Sequence, residues 1–276
     1  VTVNGRYDLM PKLPEMMNAE DYRLYSTQLL SSTSASDISG LKFLNNDPTY
    51  YYYKQYHNNT DWTKEVYHNT FSQNYGINVQ GGDDVANYNL SVGYSYANST
   101  LKDNDFSRFN MRLNTDIELI RNLTCRFDAS YSDVNRDLRD DGVSDNITNT
   151  TVTSPGLLGL IKSPFLNPYA FDVKGNQSSY LENADDYLSE VFGSDNSLAN
   201  PSSILTYGEG QNRNTFGNRI INIAITPKYN FNKHLTLYEH FSFSLTNTNE
   251  IYYLPISGVP AFKVNGLSST TYVYNV

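Results

Sequence analysis

Tyr50, Tyr51, Tyr52, Tyr53, Tyr56 and Trp62 crowd one short stretch of the chain. Flat rings with a polar tip can stack on sugar faces or pack on a peptide, which makes this stretch a candidate ligand-binding site if it lies on an exposed loop. The same rings can equally pack the loop against itself or sit at a membrane–water interface. A second pattern, Asp133-Val134-Asn135-Arg136-Asp137, puts oxygen-bearing side chains at every second residue, as a calcium loop does. Leu138 stands where that loop needs glycine, and no glutamate closes it, so a solvated acidic loop is the plainer reading. His57, His68, His234 and His240 are scattered without the spacing of zinc ligands. Serine is abundant, yet there is no Gly-x-Ser-x-Gly run and no credible triad. The residues support binding and not catalysis, and the expectation is a non-enzyme with no cofactor.

The elements that must position these residues are legible as alternation. From Thr70, Phe71, Tyr75, Ile77 and Val79 take odd positions against Ser72, Asn74, Asn78 and Gln80. Tyr88, Leu90, Val92, Tyr94 and Tyr96 then oppose Asn87, Asn89, Ser91, Gly93 and Ser95, and Phe109, Met111, Leu113, Ile117 and Leu119 oppose Arg108, Asn110, Arg112, Asn114, Asp116 and Glu118. Successive strand side chains point to opposite faces, so each stretch builds one apolar and one polar wall. Arg108, Arg112, Asp116 and Glu118 make the polar wall too charged for a dry core.

A soluble sheet with one wet face and a barrel with lipid outside and a polar lumen both fit this alternation. Length separates them, because soluble strands run about 5–6 residues and a tilted membrane strand about 9–11. Twenty-four tyrosines also suit the two interfaces of a bilayer. A mean hydropathy of -0.53 does not oppose a barrel, whose strands give only every second residue to lipid. With no apolar run of about 18 residues, helical spans are excluded. Cys125, the single cysteine, shares the apolar parity of Leu123 and Phe127 and reads as a small hydrophobe. A net charge of -9 argues against a nucleic-acid groove. The fold class expected is all-β: an antiparallel transmembrane β-barrel segment with long extracellular loops.

Strands are expected at 2–8, 69–81, 87–98, 106–119, 123–134, 217–231 and 235–246, with a last candidate at Thr270–Val276. Short connections are expected at Gly81 to Asp84, Ser99 to Asp105, Ile120 to Asn122 and Asn232 to His234, with long loops at 9–68 and 136–215 after strands one and five and the tight turns at 120–122 and 232–234 after strands four and six. Asn18 is placed to cap a helix running to Tyr25, with Asp21 at its third position. In outer-membrane barrels the short turns are periplasmic and the long loops external, and these connections agree with one such parity. The second loop, with Asp140, Asp141, Asp145, Tyr169, Tyr180 and Tyr187, is a further place for cargo, a partner or neighbouring loops.

Gly81-Gly82-Asp83 after an alternating strand, then Asn87-Tyr88-Asn89-Leu90-Ser91-Val92-Gly93-Tyr94, then Asn104-Asp105-Phe106-Ser107-Arg108-Phe109-Asn110-Met111-Arg112-Leu113-Asn114, resembles the early barrel of SusC/RagA-type TonB-dependent transporters. Asn18-Ala19-Glu20-Asp21-Tyr22 and Thr60-Asp61-Trp62 lie upstream in the order that family shows. The resemblance covers most of residues 1–135 and, more diffusely, 217–246. It implies an importer of glycans, oligosaccharides or peptides in the outer membrane of a Gram-negative, Bacteroidetes-like bacterium. Its partners would be a SusD-like surface lipoprotein, and TonB acting through a plug that this chain lacks. It also implies that residues 1–276 form about the first seven or eight strands of a barrel of about 22, a partial wall whose two open edges need pairing. The alternatives left by the residues are a small self-contained barrel acting as adhesin or pore, a soluble β-sheet glycan-binding module, and a secreted hydrolase.

Overall fold

The alternating stretches form one antiparallel sheet. In the computed structural model, which describes residues 1–32, 41–138, 154–172, 174–181, 200–206 and 213–253 with short strands at 147–148, 262–264 and 271–273, its strands are β1 (Thr2–Asp8), β2 (Thr70–Gly82), β3 (Ala86–Asn98), β4 (Asp105–Ile120), β5 (Leu123–Asp137), β6 (Arg213–Asn232), β7 (Leu235–Tyr238) and β8 (Phe241–Tyr253). They pair in chain order from β1 to β6, and β7 and β8 both lie along the far side of β6. The sheet does not close on itself among the described residues.

Register follows the hydrophobic pattern. Ile77, Val92, Met111, Tyr131, Ile221 and Leu245 lie opposite one another across six strands. One residue along, Asn78, Ser91, Arg112, Ser130, Asn222 and Ser244 form the matching polar row. A slip of one residue in any strand would send its apolar set to the polar face, which is why the pairing is so firmly specified. Phe71, Ile77, Phe241 and Phe243 are between 50% and 62% exposed, whereas the buried hydrophobic residues, among them Phe43, Trp62, Leu158 and Phe165, all lie outside the sheet. Among the described residues the sheet thus has no dry core of its own, and its apolar face is open along its whole width. That is the surface of a wall built for lipid rather than of a soluble module.

The expected strands are met within a residue or so at their inner ends, while the outer ends of β5, β6 and β8 run further than expected. Alternation fades there because both parities turn polar above the apolar band. Asp133, Asn135 and Arg219 replace hydrophobes on the outward parity, and Arg219 pairs with Asp133 at 3.4 Å. The acidic loop expected at Asp133–Asp137 is therefore the end of β5, which separates its alternate oxygens along an extended strand instead of gathering them. Pro227 sits inside β6, where a ladder donor is needed. Its carbonyl accepts the Glu239 N–H at 3.1 Å, but it has no N–H to return, and the partner strand is interrupted at Glu239–His240 to give β7 and β8. Thr271–Val273, the last candidate strand, joins Phe262–Val264 and Ile147–Thr148 in a separate three-stranded sheet. The rest of that candidate, Thr270 and residues 274–276, lies outside the described residues.

The tight turns rest on local chemistry. Asp83 accepts the N–H groups of Val85 and Ala86 at 2.9 and 2.8 Å. These bonds, that from Ala86 first, hold its carboxyl below the usual carboxylate range. Asn122 takes a left-handed φ of 76° in the β4–β5 turn, a conformation asparagine tolerates. At Gly82 a Cβ would lie 2.5 Å from the Ala86 carbonyl oxygen and 2.7 Å from Asn87 Cα, both backbone atoms. Gly82→Ala should therefore strain the β2–β3 hairpin by about 1–3 kcal/mol. Gly81→Ala, which meets only the movable Tyr88 ring, should cost less; urea unfolding of the two variants in detergent checks the order.

Candidate functional site

The two long connections fold together into a cap at one end of the wall. In the first, α1 (Ala19–Leu29) begins at Asn18, whose side chain accepts the Asp21 N–H at 2.9 Å, as the sequence led one to expect. A 3-10 turn at Lys42–Leu44, then α2 (Tyr53–Tyr56) and α3 (Trp62–Val66), follow where a plain loop was expected. The second connection adds α4 (Pro155–Ile161), α5 (Pro201–Thr206) and a short hairpin of Tyr169–Phe171 with Gln177–Leu181. Neither helix was expected, although both carry a start signal in a polar residue followed by proline, Ser154-Pro155 and Asn200-Pro201. Asn200 uses it, accepting the Ser202 N–H at 3.0 Å. Both are shorter than the span over which helical periodicity can be read.

The connections are joined by polar bonds around apolar packing. Phe165 stacks on Phe43 with centroids 4.3 Å apart, and Tyr22, Tyr56 and Ala19 close that core. The Asn58 and Thr60 N–H groups donate to the carbonyls of Phe165 and Pro164, at 3.2 and 2.8 Å, and Trp62 Nε1 donates to Ser163 at 2.9 Å. The β3–β4 hairpin pegs the cap to the wall. Lys102 Nζ donates to the carbonyls of Lys64 and Glu65 near the end of α3, at 3.0 and 2.7 Å, and the Lys102 N–H donates to Val66. At the top of β2, Thr70 and Ser72 are only 5% exposed while Phe71 between them is half exposed, so the cap leans over the polar face.

This placement sorts the aromatic candidates. Tyr56 and Trp62 are buried in the cap, their rings occupied by packing. Tyr53 stacks on His57 at 4.0 Å. Tyr52 meets Tyr50 and Tyr51 edge-on and lies under Lys42 Nζ at 4.4 Å. Tyr51 alone of the six is a largely exposed ring. The structure thus brings Tyr50, Tyr51 and Tyr52 together and sets Trp62 apart, on the floor of a groove of about 820 Å³ between Met16–Met17 and the end of α4. That groove was not read from the sequence, because its two walls are far apart in the chain. Asp140, Asp141, Asp145, Tyr187 and the side chain of Tyr180 lie outside the described residues, and Tyr169 is on the short hairpin.

The polar face below the cap is a lattice of short side chains. Asn78 donates to Asn89 and Ser91, Ser244 to Asn222, and Asn114 to Asp128. Asp116 receives both Arg126 Nε and Nη2, at 3.1 and 3.2 Å. Thr226 meets His240 Nδ1 at 2.8 Å. Arg108 and Arg112 stand on the same face, opposite Ser95 and Ser91. Such a surface offers hydrogen bonds in every direction and suits a wet interior. Among the described residues no His, Cys, Asp or Glu cluster suits a metal ion.

The fold therefore defines a stretch of transmembrane β-barrel wall carrying a folded cap at one end. No family model matches the chain. Among curated proteins it is similar to the TonB-dependent receptor SusC of Bacteroides thetaiotaomicron, 23% identical over 116 residues, or 41% of this chain and 10% of that protein. Among solved structures it matches the RagAB peptide transporter with a TM-score of 0.56 and 18% identity, over 89% of this chain and 28% of that one. The RagAB peptide importer in its open-open state gives a TM-score of 0.52 over 95% of this chain and 29% of that chain. The SusC/RagA resemblance is thus met in sequence and in fold, and the chain spans under a third of the solved chains it matches.

Two outcomes follow for the cap. Phe165→Ala removes the ring that joins the two connections and should cost about 3–5 kcal/mol; limited proteolysis should then cut the 9–68 segment while the wall stays intact. Burial, and behind it the charge of Arg23, lowers the His57 pKa from its ordinary 6.5. The folded cap then binds fewer protons than the unfolded one, so this contribution is full at neutral pH and is lost as pH falls below about 6.5. Cap protection measured by hydrogen exchange should weaken over that range, and His57→Gln should flatten the dependence.

Proposed function

We propose that the chain is wall and cap of a TonB-dependent outer-membrane importer of the SusC/RagA kind, which passes glycans, oligosaccharides or peptides without catalysing a reaction. The observation that carries this reading is the two-sided wall: an apolar row and a polar row in register across six strands, with the only buried hydrophobic residues described lying in the cap. The open sheet favours a larger barrel over a small closed one, since unpaired strand edges are not tolerated in lipid. RagAB is a peptide transporter, and a SusD-like lipoprotein would sit on the cap side of this chain as lid. TonB would act through a plug, with the polar lattice facing it and the passing cargo.

In cells making the full-length protein, the chain should fractionate with the outer membrane, need detergent for extraction, and co-purify with a surface lipoprotein. Deleting its gene should abolish TonB-dependent uptake of one nutrient class. Recovery from a detergent-free soluble fraction would sink the reading in favour of a soluble binding module.

A further inference from the structure

Charge on the polar face is sorted along its length. Toward the end far from the cap it carries carboxylates, with Asp116 opposite Asn87, Asp128 opposite Asn114 and Glu118 opposite Thr124. Toward the cap it carries Arg108, Arg112 and Arg136, all exposed. Among the described residues none of these three forms an ion pair, whereas Arg6 is paired with Asp8 and Arg126 with Asp116. Arg112 lies between Ser91 and Ser130, and Arg108 between Ser95 and Val134. Arg136 lies between Phe106 and Phe216, whose ring centroids are 5.7 and 5.9 Å from its guanidinium carbon. Of the acidic groups on the strands at that level, Asp105, Asp133 and Asp137 have the opposite parity, and Glu250 stands beyond Phe216, one strand removed from Arg136. A strand rises about 3.3–3.4 Å per residue, so Arg112 and Arg108 are about 13 Å apart along β4. Arg136, opposite Phe106, lies about 7 Å further toward the cap.

A guanidinium presents forked donors that match a carboxylate. Three unpaired ones in file attract a solute that carries several negative charges, while a neutral solute meets only hydrogen bonds. Exposed contacts of this kind are individually weak, so such a solute can leave one arginine for the next. The geometry points to Arg136, Arg108 and Arg112 as a binding track for solutes bearing several carboxylates, on either a sugar or a peptide backbone. The inference rests on the importer reading and deepens it by giving the cargo a negative charge.

The full-length protein in detergent at low salt is titrated by calorimetry with tetragalacturonate, tetraglutamate and maltotetraose. One or both of the carboxylate oligomers should bind saturably and maltotetraose should not, and whichever binds names the backbone. The midpoint should rise steeply with added sodium chloride, a readout that needs no variant. Arg108→Gln combined with Arg112→Gln should raise it about tenfold, and Arg108→Lys combined with Arg112→Lys should keep most of the affinity. Maltotetraose binding as tight as that of the carboxylate oligomers, a midpoint indifferent to salt, or one that the glutamine pair leaves unchanged overturns the assignment. Silence with all three also overturns it, and leaves the importer reading to fractionation and uptake, which use none of these ligands.

Discussion

A backbone that meets lipid must satisfy every N–H and C=O within the protein, and this one requirement organises the chain. Strands can meet it only by pairing along their full membrane-crossing length. Pairing at period two then forces one face to be apolar and leaves the other available for water. The row from Ile77 to Leu245 and the row from Asn78 to Ser244 are two consequences of the same ladder. Pro227 shows how closely the rule is followed. One missing donor is enough to interrupt the neighbouring strand, and the chain resumes pairing at Phe241 opposite Ile225.

The cap obeys the opposite economy. Outside lipid, the long connections need a core to offset the conformational entropy of ordering them, and among the described residues both contribute to it. Phe43 and Tyr56 come from one, Phe165 and Leu158 from the other. Their association is fixed by bonds that depend on both, such as Trp62 to Ser163 and Asn200 to the Pro168 carbonyl. Lys102 on the intervening hairpin holds the α3 carbonyls, so the cap is referenced to the wall and not merely tethered at its ends.

This division decides what could be read from sequence. Alternation placed β2, β3 and β4 almost to the residue because a lipid-facing parity leaves no freedom in the pattern. It lost the outer ends of β5 and β6, where Asp133, Asn135 and Arg219 make both faces polar and the period disappears. It also missed the cap, whose helices are short and whose core pairs residues more than a hundred positions apart. The capping signal at Asn18 was legible because it is local, whereas the stacking of Phe43 on Phe165 has no local trace. Trp62 was picked out as an aromatic candidate by composition, and burial then changed its meaning from a contact surface to a floor.

Under the importer reading, the polar face and the cap would also meet a passing solute differently. On the face, Asp116 is paired with Arg126 and Asp128 accepts a hydrogen bond from Asn114, Arg108 and Arg112 lie opposite serines, and many of the other groups are neutral amides and hydroxyls. A surface of this kind makes many weak, exchangeable hydrogen bonds, and passage requires a solute to leave as readily as it enters. Discrimination by shape then has to be made before the solute reaches the wall. The cap leans over the polar face at β2 and holds the concave, partly apolar groove. Under the importer reading, selection and passage are therefore assigned to different parts of the chain by the same constraint that separated their cores.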